Sequence, residues 1–211
     1  MEPTAKRAGL TREKVLRAAL ALTDRDGIEK LSMRRLGTEL GVEAMTLYHY
    51  VPNKSALLDG LVELVVSAVR TGEDAARADW TGRLRDLADS LRTELLRHPG
   101  VIPLVATRPV GTAAALRAVE ATGAALVAAG FTPVVALRIV NAVATLVIGH
   151  CLAEAATTPG HPEPPAAALD LADFPALAAA TAAGLGTPAD HDARFTLALD
   201  ALLTGLATTR P

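Results

Sequence analysis

The sequence predicts an all-α fold, with an N-terminal three-helix unit carrying a helix-turn-helix and a larger helical body behind it. Two observations carry this expectation. Apolar residues recur at 3.6-residue spacing along most of the chain, and no run of β-branched or aromatic residues alternates with polar ones for long. Helix punctuation is also regular, with Ser, Thr or Asn before apolar stripes and Gly or Pro after them.

The first stripe, Val15, Ala18, Ala19 and Leu22, has Thr11 as its N-cap and closes at Asp26-Gly27, with Ile28 tucked behind it. A short second stripe of Met33, Leu36 and Leu40 starts after Ser32 and stops at Gly41. A third segment runs from Glu43 to Tyr50 and is stopped by Pro52. Asn53 then caps a long fourth helix, about 54–69, carrying Leu57, Leu58, Leu61, Leu64, Val65 and Val69. After a polar break at 70–79, helices are expected from Trp80 to His98, over a short segment ended by Arg108-Pro109, from Thr112 to Ala129, and from Pro133 to about Ala156. The proline-rich segment TTPGHPEPP cannot be helical and is read as an exposed loop. Leu169 to Leu185 and Asp190 to Leu206 supply the last helices, and no repeat of fixed period occurs.

A chain of 211 residues that is 50% hydrophobic can fill a sizeable core. Its most strongly apolar uncharged stretch, Ile139 to Leu152, falls short of the roughly 20 residues of a membrane span, so no membrane partner is expected. The N-terminus lacks an apolar secretory segment, and the single Cys151 excludes an intramolecular disulfide, so the expected compartment is the cytoplasm. The formal charge of -2 hides a split. Residues 1–54 carry 10 Lys+Arg against 7 Asp+Glu, and the remainder 11 against 16. A mildly basic head on an acidic body suits a polyanionic partner for the head.

Both tyrosines of a chain that is 3% aromatic fall in one stretch, VEAMTLYHYVPNK. Tyr48, His49 and Tyr50 point about 100° apart on a helix, so they cannot all face a core. Two short helices joined at Leu40-Gly41-Val42 form the pattern in which the second helix enters a major groove. Leu36, Leu40, Val42 and Leu47 would form the inner seam, leaving Glu43, Ala44, Met45, Thr46, Tyr48 and His49 on or beside the outer face. Ala44 and Thr46 suit contact with a thymine methyl, and a Tyr hydroxyl can donate to a phosphate.

The stretch GVEAMTLYHYVPNKSALL resembles the N-terminal domain of the tetracycline repressor (TetR) family. DWTGRLRDLADSLRTELLRHPG and AAGFTPVVALRIVNAVATLVIGHCLAEAA resemble the C-terminal domain of its tetracycline-repressor-like subgroup, so the likeness covers nearly the whole chain. The resemblance implies a homodimeric, non-enzymatic regulator, a repressor released from a palindromic double-stranded DNA operator by a small-molecule effector. It implies a DNA-binding domain at 1–54 and an effector-binding and dimerisation domain at 55–211, with the last two long helices of each subunit forming a four-helix bundle. Arg34 and Thr46 would read bases. Tyr48, Tyr50 and Lys54 would position the DNA backbone, with His49 between the tyrosines. Ala44 and Met45 stand where relatives vary with the operator.

In the tetracycline-binding members a magnesium chelate is anchored by a histidine just before a Thr-Arg-Pro, with an acid on the long helix and a drug-binding histidine at the end of the fourth. The matching positions here are Leu104, Ala153 and Arg70, so no metal or other cofactor is expected. The expected pocket is lined by Leu104, Leu126, Val143 and Val147, with Arg108, Asn141 and His150 as polar anchors, and its effector is largely apolar.

Other residues invite competing readings. His150 and Glu154, at i and i+4, have metal-ligand spacing, but two ligands leave a site incomplete. His98 stands either as a helix-end residue or as a pocket donor. Cys151 beside His150 has no orienting acid for nucleophilic catalysis. The rival functions are an effector-independent architectural DNA binder and a small helical-bundle enzyme using His98, His150 and Glu154; ligand-shifted melting together with ligand-released DNA separates them. Finally, Val134, Leu137, Val140, Val143, Val147 and Ile148 on one helix, with Phe195, Leu199, Leu202, Leu203 and Leu206 on another, are apolar over more circumference than one bundle covers, which predicts a homodimer.

Overall fold

The structure, a computed structural model, describes residues 9–70, 79–108, 111, 113–155 and 170–208. Among them are ten α-helices, two short 3₁₀ turns (Ile28–Lys30 and Pro99–Val101) and no strand. The helices are α1 (Arg12–Asp26), α2 (Met33–Leu40), α3 (Ala44–Leu47), α4 (Lys54–Ala68) and α5 (Trp80–Arg97), followed by α6 (Ile102–Thr107), α7 (Ala113–Ala128), α8 (Pro133–Glu154), α9 (Pro175–Ala182) and α10 (Pro188–Thr208).

Local chemistry sets most boundaries. Thr11, Ser32, Asn53 and Thr132 each accept a hydrogen bond from a backbone N–H of the first turn they precede, meeting donors that a helix start leaves orphaned. Gly41 ends α2 at φ 65°, ψ 34°, a left-handed conformation that a side chain disfavours. Gly37 serves the same corner differently. A Cβ there would stand 2.8 Å from the Val42 carbonyl oxygen and 3.1 Å from the Ala44 nitrogen, so its bare backbone lets α3 close on α2.

The head is α1 to α3 packed on α4 around Leu16, Leu22, Leu36, Leu47, Val51, Leu57 and Leu61, all at most 2% exposed. Burying a side chain of this size stabilises by about 1.5–3 kcal/mol. In the body α8 is the central helix, in contact with α5, α6, α7 and α10. Its length and composition would also suit a membrane span, contrary to the reading from its uncharged run, yet Val143, Val147 and Cys151 are wholly buried against neighbouring helices. α4 belongs to both halves, packing on α1 at one side and on α5, α6 and α7 at the other.

Two helices differ from expectation. α3 is a single turn, because Tyr48 to Tyr50 leave the helix so that Val51, 1% exposed, can plug the core before Pro52. α9 is confined to Pro175–Ala182, opening at the helix-favoured position of Pro175 rather than at 169. The segment TTPGHPEPP lies outside the described residues, as do Pro109 and Thr112.

The expected dimer face is also corrected. Val140, Val143, Val147, Phe195, Leu199 and Leu203 are spent on the core of a single chain. Val134 and Leu137 stand exposed as expected, and Leu152 and Leu197, the last 71% exposed, join them as the apolar surplus on α8 and α10. Around these lie small exposed residues, Ala142, Gly149 and Ala153 on α8 and Ala193, Ala201 and Gly205 on α10, which permit close helix approach.

Candidate functional site

The outward surface of the head is assembled by α2, α3 and the start of α4. Met45 is 70% exposed and Tyr48 41%, with His49 exposed beside them. Tyr50 is half-buried and packs on the core, so its ring fixes the corner rather than standing free. Ala44 is likewise half-buried against the backbone at Gly37. Thr46 departs from its expected place on the outer face. It is only 7% exposed, because the single turn of α3 directs Thr46 and Leu47 inward together.

The arginines are sorted by their partners. Arg35 reaches Asp26 at 2.8 Å and Arg25 pairs with Glu39 at 2.8 Å, which also holds the Glu39 carboxyl below the usual range. Arg34 is exposed and has no ion-pair partner among the described residues; the same is true of Lys54, one residue after the Asn53 cap. Two unspent cations therefore flank the exposed aromatic turn.

The body contains a cavity of about 450 Å³. Its walls are Val66 in the last turn of α4 and Val69 just beyond it, Leu87 and Leu91 of α5, Val105 of α6, Val119 of α7, and Val140, Asn141, Ala144, Thr145 and Ile148 of α8. Asn141 and Thr145 are the polar side chains among its described lining residues. Of the seven residues expected at a pocket, only Asn141 is there. Leu126 of α7 is a 0% exposed core residue, and so are Val143 and Val147, since α8 is rotated to turn its 140, 144 and 148 ridge toward the space. Leu104 is half-buried one residue before the true wall, Val105. Arg108 faces α4, donating to the Ser55 carbonyl and hydroxyl oxygens, both at 3.3 Å, and pairing with Asp59. His150 belongs to a polar cluster with Glu154, Arg92 and His191.

A second, larger hollow of about 660 Å³ lies where head meets body, between the end of α1 and residues 99–103. Asp24, Asp26, Glu29 and Lys30 line it beside Ile28, Ile102 and Leu152, so charged and apolar groups share this junction. His98 sits at this junction, its Nδ1 2.8 Å from Asp24 Oδ2. It ties α5 to α1. Arg70, at the position that matches the family's drug-binding histidine, donates its backbone N–H to Ser90 Oγ at 2.8 Å. Burial pushes the Cys151 thiol up to about 11, which leaves it unreactive at neutral pH.

Comparison with known proteins decides the class. Residues 15–61 match the family model "Bacterial regulatory proteins, tetR family", and residues 73–210 match "Tetracyclin repressor-like, C-terminal domain". The chain belongs to the TetR family. An HTH-type transcriptional regulator of Saccharopolyspora erythraea is 35% identical over 206 residues, spanning 95% of this chain and 86% of the relative. The structure of a possible TetR family transcriptional regulator from Streptomyces coelicolor A3(2) superposes with a TM-score of 0.82 at 32% identity, covering 94% of this chain and all of that one. The ActR protein of the same organism in complex with actinorhodin gives 0.76 at 27% identity, with 96% and 99% covered. This TetR-family chain is a ligand-responsive, DNA-binding transcriptional regulator that acts as a homodimer, and it is not an enzyme.

Proposed function

We propose that this regulator is a cytoplasmic repressor whose operator is held by Arg34, Met45, Tyr48, His49 and Lys54 and released when a largely apolar molecule fills the 450 Å³ cavity. Residues 1–54 form the DNA-binding domain and 55–211 the effector-binding and dimerisation domain. The observation that carries the reading is the span of α4. Its first residue, Lys54, stands at the exposed aromatic turn, and Val66 near its other end is a wall of the cavity. A ligand that displaces this wall tilts the helix that seats the head, and Arg108 on Ser55 and Asp59 stiffens the link from α6. To move the operator complex from almost full to almost empty, the effector must prefer the DNA-incompetent state by roughly 10⁴-fold, about 5.5 kcal/mol.

The lining supports a ligand that is apolar over most of its surface, with one or two polar groups for Asn141 and Thr145. The complex of ActR with actinorhodin, a relative with a bound small molecule, favours this over an effector-independent architectural role. Tyr48 and Lys54 contact the DNA backbone, and Arg34 reads bases. Thr46, enclosed by α3, contributes packing. In operator titrations at several salt concentrations, Lys54→Ala is expected to reduce the slope of log affinity against log salt by about 0.9. Arg34→Ala is expected to relax preference at one base pair of each half-site; equal weakening on operator and random DNA would refute base reading.

A further inference from the structure

We propose that His150, Glu154 and His191 form a binding site for Zn²⁺ or a similar borderline divalent ion that ties α8 to α10. One ligand atom from each residue lies within 4.8 Å of the other two, and all three side chains are partly buried. His150 Nε2 is 3.6 Å from Glu154 Oε2. Tetrahedral Zn²⁺, with bonds of about 2.0–2.1 Å, sets neighbouring ligand atoms about 3.3 Å apart, so small side-chain movements complete the geometry. Two imidazoles and a carboxylate suit zinc and its neighbours, whereas magnesium and calcium demand oxygen. The pair at i and i+4 comes from α8, and the third ligand arrives from α10, remote in sequence and adjacent only in the fold.

The surroundings favour a cation. Arg92 donates to both oxygens of Glu154, at 2.9 to 3.2 Å, and to Asp192 at 2.7 Å, with its guanidinium 4.8 Å from the Phe195 ring centroid. Two of the three bonds to Glu154 fall on Oε2 and one on Oε1, so Oε2 ligates by releasing the 3.2 Å contact with Arg92 Nε, and the remaining two bonds still orient Glu154 from behind. Glu154 and Asp192 outnumber Arg92, and Arg194 is matched by Asp190 at 3.0 Å. Burial lowers the His150 pKa and keeps its imidazole neutral. Its Nε2 now donates to the His191 carbonyl oxygen at 3.1 Å; ligation there moves that proton to Nδ1. His191 Nδ1 accepts from Arg194, an exposed side chain that keeps Asp190 if it yields this contact.

The test uses the full chain stripped with chelator. Co²⁺ titration followed by visible absorption is expected to show one ion per chain with the intense bands of four-coordination, displaced by Zn²⁺, and Zn²⁺ is expected to raise the melting temperature. His191→Ala and, independently, Glu154→Gln are each expected to weaken binding at least ~10-fold, while circular dichroism of the metal-free variants reports an intact fold. Failure of the wild type to take up Co²⁺ saturably, or wild-type affinity in either folded variant, would overturn the site.

Discussion

The head and the body put their proposed DNA-contacting and effector-binding residues in opposite places. In the head they stand on the surface, at Arg34, Met45, Tyr48, His49 and Lys54, and short-range devices hold the scaffold beneath them. In the body the proposed effector surface is a recess walled by five helices, from α4 to α8. A surface site is defined by what the chain does over some twenty consecutive residues. An interior site depends on how far each helix is rotated and on which neighbour it meets, and one residue of helical phase decides whether a side chain lines a space or fills a core.

The largest effect expected from this contrast is in the head. Leu47 is fully buried where α3 meets α2, so Leu47→Ala should cost about 2–5 kcal/mol of head stability. Operator binding should be lost while light scattering still reports a dimer, because the exposed apolar residues that suit a second copy, Leu152 and Leu197 among them, lie on α8 and α10, away from the head. Simultaneous loss of the dimer would mean that head and body fold as one unit.

A smaller and complementary effect belongs to the body. Ala144 lines the cavity and is half-buried, so Ala144→Phe is expected to fill the space without touching the head. Operator affinity should match wild type, and release by a panel of apolar aromatic compounds should disappear in gel-shift titration. If release persists unchanged, the effector binds elsewhere, and the charged hollow at residues 24–30 and 99–103 becomes the site to examine.

The smallest effect is a pH dependence. His150 is held neutral chiefly by desolvation, so its folded pKa lies below 6.5. As pH falls from 6.5 toward that lowered value, the unfolded chain takes up a proton that the fold refuses, and stability declines over this window; above 6.5 the contribution is constant. His150→Gln should flatten the fall in melting temperature across that window, and superimposable curves for the two proteins would show that desolvation of His150 is not felt. Glu154 pulls the other way by stabilising the charged imidazole, which keeps the effect modest.

By itself the sequence determined the all-helical architecture, the caps Thr11, Ser32 and Asn53, the Gly41 turn and the outward aromatic cluster, because each is a short-range property of neighbours a few residues apart. Tertiary structure decided what periodicity leaves open. Thr46 turned inward because α3 is one turn long, and Val143, Val147 and Leu126 became core while Ala144, Thr145 and Ile148 met the cavity. The apolar faces of α8 and α10 were divided the same way, with Phe195, Leu199 and Leu203 used inside one chain and Leu197 left exposed. His98 found Asp24, Arg108 found Asp59, and His191 came to stand beside His150 and Glu154. A helix that is apolar around most of its circumference satisfies the hydrophobic pattern at several rotations, and only packing against every other element selects one of them.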